Sequence, residues 1–146
     1  KPILIQANEK KEKNQIVNEE VSKKILPILR KIVTTKEGTA KLANVTGYEI
    51  GGKTGTANKI FKGKYSNKKI NTFISVFPTS KPKFILAVML DEPEINNDYI
   101  YKYRDGSNFK LKGSPRNTAG WNSVEATGHI VEKIGPILAT KYSEIN

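Results

Sequence analysis

The 146-residue sequence has no cysteine and only one histidine, one tryptophan and one methionine. The lack of cysteine excludes a disulfide scaffold, a thiolate zinc site and thiol catalysis. No apolar run approaches the roughly 20 residues that a membrane-spanning helix needs. Hydrophobic residues still make up 37% of the sequence, which is too many for a disordered chain. The length and composition therefore predict one globular domain.

Arginine is scarce throughout, and acidic residues are scarce in the first half. Through Lys83 the chain has eighteen Lys and Arg against six Asp and Glu, and from Phe84 it has seven against eight. Only three basic residues are arginines, although arginine makes the bidentate contacts that read bases and phosphates. We therefore expect a solvated lysine surface and no nucleic-acid partner. A cationic module that binds nucleic acid or another polyanion stays an alternative.

Hydrophobic periodicity predicts two main helices. The first begins after Asn18 as its N-cap and ends near Val33, with a kink or break at Pro27. The second begins near Ser123. Its buried positions are expected to be Thr127, Val131, Ile134 and Leu138.

Strands are predicted at residues 1–5, 48–56, 70–77 and 84–90. The last is apolar on both faces, so we expect it to be central and fully buried. A turn at 78–82 joins the last two strands, residues 58–66 are expected to form a basic loop, and 92–117 is a long patternless segment without an assigned role. The expected fold class is α+β, with a three-stranded antiparallel sheet flanked by two main helices.

The segment from Gly47 to Thr54 matches the P-loop pattern G-x-x-x-x-G-K-[ST]. A P-loop needs a buried strand before its first glycine and a helix that begins at its lysine. Residues 44–46 do not form such a strand pattern, and Gly55 stands where a helix should propagate. A P-loop-like nucleotide-binding domain is therefore kept only as an alternative.

The same residues have a second interpretation as a strand that carries the tetrapeptide Lys53-Thr54-Gly55-Thr56. Strand alternation places Lys53 and Gly55 on one face and the two threonines on the other. Paired hydroxyls can bind an anionic group, and a free backbone N–H can stabilise an oxyanion. Gly51 and Gly52 precede the tetrapeptide, and glycines inside a strand indicate close approach to the backbone.

K-T-G motifs occur in penicillin-binding proteins, and further segments extend the similarity. From about Val17 to Leu138 the chain resembles class B penicillin-binding proteins, most closely the division-type peptidoglycan D,D-transpeptidases. The segments that carry the resemblance are Glu37–Thr39, Gly47-Tyr48, Gly51–Ala57, Tyr65-Ser66, Phe73, Phe77-Pro78, Leu90–Pro93 and Thr118–Asn122.

The resemblance implies that residues 1–146 form the C-terminal portion of a penicillin-binding transpeptidase domain. Such a domain cross-links peptidoglycan stem peptides through a serine acyl-enzyme and is acylated by β-lactams. The family pattern implies Lys53 as a catalytic residue and Thr54, Gly55 and Thr56 as the substrate- and β-lactam-binding residues. It implies no metal and no cofactor. It also implies other division proteins as partners and a place at the periplasmic face of the inner membrane, anchored by an upstream segment.

The family's nucleophile motif S-x-x-K and its S-x-N motif stand upstream of K-T-G-T. Here S-x-x-K matches occur at Ser66 and Ser80, both downstream of Lys53, and S-x-N does not occur. We therefore expect neither serine to be the nucleophile and the 146 residues alone to be inactive. A domain portion of this kind should expose apolar surface through which it could self-associate.

Two further residues are assigned no chemistry. His129 is expected to pack or to lie at the surface, because no serine or carboxylate partner is evident in the pattern. Trp121 is expected to anchor the last helix in the core.

Overall fold

The computed structural model describes residues 15–106, 108–110 and 116–143, and the strand predicted at 1–5 lies outside them. Along the chain, the elements are α1 (Glu19–Thr34), a 3₁₀ helix (Lys41–Ala43), β1 (Gly51–Phe61), β2 (Lys64–Phe77), β3 (Phe84–Asp91), β4 (Ile100–Lys102), β5 (Asn108–Lys110), a second 3₁₀ helix (Ala119–Trp121) and α2 (Ser123–Ser143). No helix in the described ranges is both long enough and apolar enough to cross a membrane.

Helix α1 begins where the sequence predicts. The side chain of Asn18 accepts a hydrogen bond from the Glu20 N–H. Glu19 and Glu20 lie in the first turn, where the helix dipole favours negative charge. Of the kink or break predicted at Pro27, the break does not occur, because the helix continues through this residue. Helix α2 likewise continues through Gly128 and Pro136.

The three long strands form an antiparallel sheet in the order β1-β2-β3. Opposite residues include Thr54 and Phe73 in the first pair of strands, and Phe73 and Val88 in the second. The α+β prediction of a three-stranded meander with two helices is confirmed. Strand β1, which carries the K-T-G-T tetrapeptide, lies at one edge.

The prediction that residues 84–90 form a central, fully buried strand is wrong. The central strand is β2, and β3 lies at the edge opposite β1. Its residues alternate between half-buried and exposed, with Ile85 and Met89 on the exposed side. Apolar residues on both faces indicated burial, but no element in the described ranges covers the outer face of β3.

The predicted loop at residues 58–66 is also wrong, because β1 and β2 extend through it as a hairpin. Lys62 and Gly63 form its two-residue turn, with φ values of 49° and 75°. Two consecutive positive φ values suit the right-handed twist of a hairpin. Lysine rarely adopts this conformation, so the sequence carried only a weak turn signal.

The long segment after β3 is less irregular than expected. Strands β4 and β5 pair antiparallel as a small second sheet, with Tyr101 opposite Phe109. Tyr101 is buried and meets the Trp121 ring edge-on, with ring centroids 5.0 Å apart. The segment is therefore tied to the part of the chain that leads into α2.

The core lies between the sheet and α2. Phe73 and Phe77 of β2, Val124 and Val131 of α2, and Val33 of α1 belong to one buried cluster. Thr127 is fully buried, as predicted, whereas Ile134 and Leu138 are only half-buried. The other face of the sheet, which carries Lys53, is contacted by α1 near Gly51 and is exposed further along.

Candidate functional site

Two adjacent glycines allow close packing on both faces of β1 just before the K-T-G-T tetrapeptide. A Cβ on Gly51 would collide with Thr79 and with the α1 backbone at Leu29 and Arg30. A Cβ on Gly52 would instead collide with the Phe73 ring and the Ile74 carbonyl. The prediction of close backbone approach is confirmed. These contacts fix the position of the strand against its neighbours.

Arg30 of α1 ties the helix to the start of β1. Its guanidinium donates to the Ile50 carbonyl at 2.7 Å and to the Asn44 side-chain oxygen at 3.1 Å. Burial lowers the pKa of Arg30, opposed by the nearby charge of Glu49. The pKa of Glu49 is lowered in turn by hydrogen bonds from Ser80. These contacts hold the backbone in place directly before β1 begins.

Thr54 and Thr56 lie on the same face of the sheet as Phe73 and Asn71, which stand opposite them on β2. The Thr54 hydroxyl is 3.1 Å from the Thr39 hydroxyl, and the Thr56 hydroxyl accepts a hydrogen bond of 3.0 Å from the Ala119 N–H. Both hydroxyls are therefore oriented by residues from other elements.

The two threonines line one groove of about 390 Å³. Its other walls come from the turn after α1, the first 3₁₀ helix, the residue after β4 and the second 3₁₀ helix. These lining residues are Glu37, Gly38, Thr39, Lys41, Leu42, Tyr103, Thr118, Gly120 and Trp121. The groove combines hydroxyls, two aromatic side chains, one ammonium and one carboxylate, which suits a ligand with both polar and apolar parts.

Lys53 and Gly55 lie on the opposite face of the strand, beside Ile74 and Thr72. Neither residue lines the groove. Lys53 is exposed, and its ammonium donates to the Thr54 carbonyl at 2.8 Å. The structure thus brings the two threonines together in one groove and places the lysine around the edge of the strand. Because β1 is an edge strand of its sheet, half of its peptide groups point away from β2.

The position of Lys53 argues against a nucleotide-binding P-loop. A P-loop lysine stands where a helix begins, so that backbone N–H groups cradle phosphate. Lys53 instead lies inside β1, opposite Ile74 of β2. No α-helix follows until α2, in the described part of the chain.

Several of the basic residues on the hairpin are engaged with carboxylates. The Lys59 ammonium lies 3.0 Å from Asp91 and 2.7 Å from Glu92, and Lys68 lies 2.6 Å from Glu92. The hydrogen bond from Lys59, followed by that from Lys68, lowers the pKa of Glu92. The pKa of Lys59 is raised, first by Glu92 and then by Asp91. These ion pairs connect the hairpin to the end of β3.

The remaining predicted positions lie away from the groove. Ser66 donates from its hydroxyl to the Lys59 carbonyl, and Ser80 lies in the turn between β2 and β3. His129 is a surface residue whose Nδ1 is 3.4 Å from Glu132. Trp121 is only half-buried, though it packs against the core. Among the described residues, no group of three or more His, Cys, Asp or Glu could hold a metal ion.

Sequence reasoning missed the groove residues outside β1. Thr39 and Trp121 belonged to segments that carried the family resemblance, but nothing in the pattern placed them beside the threonines. Tyr103 came from the segment that was assigned no role. Its alternation with Tyr99 and Tyr101 was a usable signal of a strand.

The K-T-G-T strand lies at one edge of an antiparallel sheet, beside a groove, in keeping with the α+β fold that the resemblance to penicillin-binding proteins implies. Residues 1–108 match the family model described as the penicillin binding protein transpeptidase domain. The chain belongs to this family.

Individual relatives agree with the family match. The chain is 37% identical over 107 residues to the peptidoglycan D,D-transpeptidase FtsI of Buchnera aphidicola, covering 68% of this chain and 18% of that protein. It is 43% identical over 83 residues to stage V sporulation protein D of Bacillus subtilis, covering 56% and 12%. The apo transpeptidase domain of Burkholderia pseudomallei penicillin-binding protein 3 superposes with a TM-score of 0.56 at 26% identity, over 79% of this chain and 29% of that one.

The chain spans only 12% to 21% of the length of the first curated relatives that it matches. These relatives are therefore much longer than the part that aligns with it.

Proposed function

We propose that the chain is the C-terminal portion of a peptidoglycan D,D-transpeptidase domain that works in septal cell-wall synthesis. Its family membership and its similarity to proteins named FtsI support this assignment. The observation that carries the proposal is the placement of Thr54 and Thr56 in one groove on the K-T-G-T strand. The substrates would be peptidoglycan stem peptides, and β-lactams would acylate the same serine.

The tetrapeptide residues take different roles in this proposal. Thr54 and Thr56 hydrogen-bond the carboxylate of the substrate or β-lactam, and the Thr56 N–H contributes to an oxyanion hole. One such donor is worth roughly 3–4 kcal/mol at the transition state. Lys53 supports proton and charge movement around the serines. Gly55, which has no side chain, leaves space beside Lys53.

The nucleophile belongs to sequence upstream of Lys1 in this proposal. That sequence supplies S-x-x-K and S-x-N, packs against the exposed apolar face of the sheet, and carries the anchor that holds the protein at the periplasmic face of the inner membrane. Ile74, Ile85 and Met89 on that face are 54%, 77% and 66% exposed. Burial of such side chains against another part of the domain would stabilise both parts. Other division proteins would be further partners.

The test is covalent labelling by a fluorescent penicillin. The full-length protein should be labelled, and the 146-residue chain should not, because it lacks the nucleophile. In the full-length protein Lys53→Ala should slow labelling by about a hundredfold, as expected for loss of a group that assists proton transfer. Lys64→Ala, which removes another exposed lysine of the same hairpin, should label at the normal rate.

Either of two results would contradict the proposal. Labelling of the 146 residues alone would mean that a local serine is the nucleophile. Normal labelling of Lys53→Ala would remove the role given to that lysine.

A further inference from the structure

The groove beside the K-T-G-T threonines has a wall that comes from the segment between β3 and α2. Tyr103 directly follows β4 and lines the same groove as Thr54 and Thr56. Trp121 also lines it, from the second 3₁₀ helix. The hydroxyls suit an anionic group, whereas the two aromatic side chains suit an apolar portion of the same ligand.

A cation from another element supports the Tyr103 ring. The Lys41 ammonium lies 4.4 Å from the ring centroid, within the range of a cation–π contact. The same ammonium is 3.8 Å from the Asp105 carboxylate. Lys41 therefore contacts residues on both sides of Arg104 and brings them against the first 3₁₀ helix.

Arg104 attaches this wall to the body of the domain. It donates to both carboxylate oxygens of Glu132, with Nη2 at 3.2 Å, and to the Leu42 carbonyl. Its side chain is only 14% exposed. The paired hydrogen bonds lower the pKa of Glu132, so this carboxylate is charged at neutral pH.

A notch on α2 accommodates the guanidinium. A Cβ on Gly128 would collide with the Nη1, Nη2 and Cζ atoms of Arg104. Because Arg104 is bonded to α2 and to the first 3₁₀ helix at once, the adjacent Tyr103 has little freedom to leave the groove.

We propose that Tyr103 is a specificity-determining residue of the groove and that Arg104, held in the Gly128 notch, is the positioning residue that keeps it there. The inference rests on the proposed transpeptidase function. Tyr103 contacts the part of the ligand that lies beyond the carboxylate held by the threonines. It discriminates among ligands that share the carboxylate but differ in the attached side chain.

The test compares acylation of the full-length protein by benzylpenicillin and by 6-aminopenicillanic acid. Both have the same bicyclic nucleus and carboxylate, but 6-aminopenicillanic acid lacks the phenylacetyl group. The measured quantity is the ratio of their second-order acylation rate constants. Tyr103→Ala should change this ratio by about threefold or more, in line with the modest discrimination that one apolar contact provides. Tyr103→Phe, which retains the ring, should keep the ratio within about twofold of the wild-type value.

The positioning role is tested in the same assay. Arg104→Gln and Gly128→Ala should shift the ratio in the same direction as Tyr103→Ala, because each disturbs the contacts of Arg104 that hold Tyr103 in the groove. Lys133→Gln, an exposed change on α2 next to Glu132, is the matched control. Thermal denaturation of each variant separates lost stability from changed selectivity.

The outcomes separate the two proposals. If wild-type protein is not acylated by benzylpenicillin, the proposed function fails and this inference fails with it. If the wild type is acylated but every variant keeps the wild-type ratio, the proposed function stands and the role of Tyr103 is wrong. If only Tyr103→Ala shifts the ratio, the positioning role of Arg104 is wrong.

Discussion

At the residue scale, the glycines of β1 differ in what surrounds them. Gly52 lies against the Phe73 ring and the Ile74 carbonyl, whereas a Cβ on Gly55 would meet only Thr72 atoms at 3.9 Å. Gly52 is thus required by packing. Gly55 has free space beside Lys53, and the family pattern implies that Gly55 is one of the residues that bind the ligand.

This contrast predicts that two alanine substitutions in the full-length protein affect different quantities, namely stability and acylation. Gly52→Ala should lower the free energy of unfolding by about 1–3 kcal/mol through overpacking. Gly55→Ala should leave it within about 0.5 kcal/mol, as is usual where nothing is displaced, while slowing β-lactam acylation because the methyl group occupies space beside Lys53. Urea denaturation and penicillin labelling measure the two quantities. A Gly55→Ala protein that is both stable and normally acylated would contradict the ligand-binding role given to Gly55.

At the scale of the elements, the ion pairs between the outer part of the β1–β2 hairpin and the end of β3 predict a pH dependence of stability. Glu92 has a pKa below its ordinary 4.5 because Lys59 and Lys68 hydrogen-bond its carboxylate. Its stabilising effect is therefore fully present above the unfolded-state pKa and is lost as the pH falls through the lower folded-state value. The effect is modest, since the carboxylate is accessible to water.

The measurement is the difference in melting temperature between wild type and Glu92→Gln from pH 7 to pH 3. The difference should be constant down to about pH 5 and should shrink below that. Glu94→Gln, which removes the same charge two residues along, should give a smaller difference at neutral pH. A difference between wild type and Glu92→Gln that grows as the pH falls would show that the pairs do not stabilise the fold.

The elements also show which features the sequence could predict. Helix α1 was predictable because Asn18 and the acidic first turn are local signals, and the strand at 70–77 was predictable from its alternation. The exposure of one face of β3 was not predictable, because Ile85 and Met89 have the same local pattern in a central strand as in an edge strand. The positions of Thr39 and Tyr103 in the groove depend on contacts far apart in the chain, such as that of Arg104 with Leu42.

At the scale of the whole molecule, the exposed apolar face predicts self-association of the 146-residue chain. Ile74, Ile85 and Met89 lie on one face of the sheet, and exposed apolar patches of this kind promote association in water. Sedimentation velocity should show concentration-dependent dimers or larger species at roughly micromolar to millimolar protein.

A matched pair of variants tests whether this face is responsible. Ile85→Lys together with Met89→Lys should return the chain to a monomer. Ile60→Lys, which changes a side chain that is equally exposed (68%) but lies near the hairpin tip, should leave association unchanged. A wild-type chain that stays monomeric over the whole concentration range would contradict the prediction that this face mediates self-association.

The K-T-G-T strand presents its ammonium and its hydroxyls to opposite sides of a single layer of backbone. A molecule in contact with both must bend around the free rim of the sheet. A straight, stiff ligand would reach only one set of groups and would lose the binding energy of the other. Compounds with a built-in bend should therefore bind this strand better than flat isomers of the same composition.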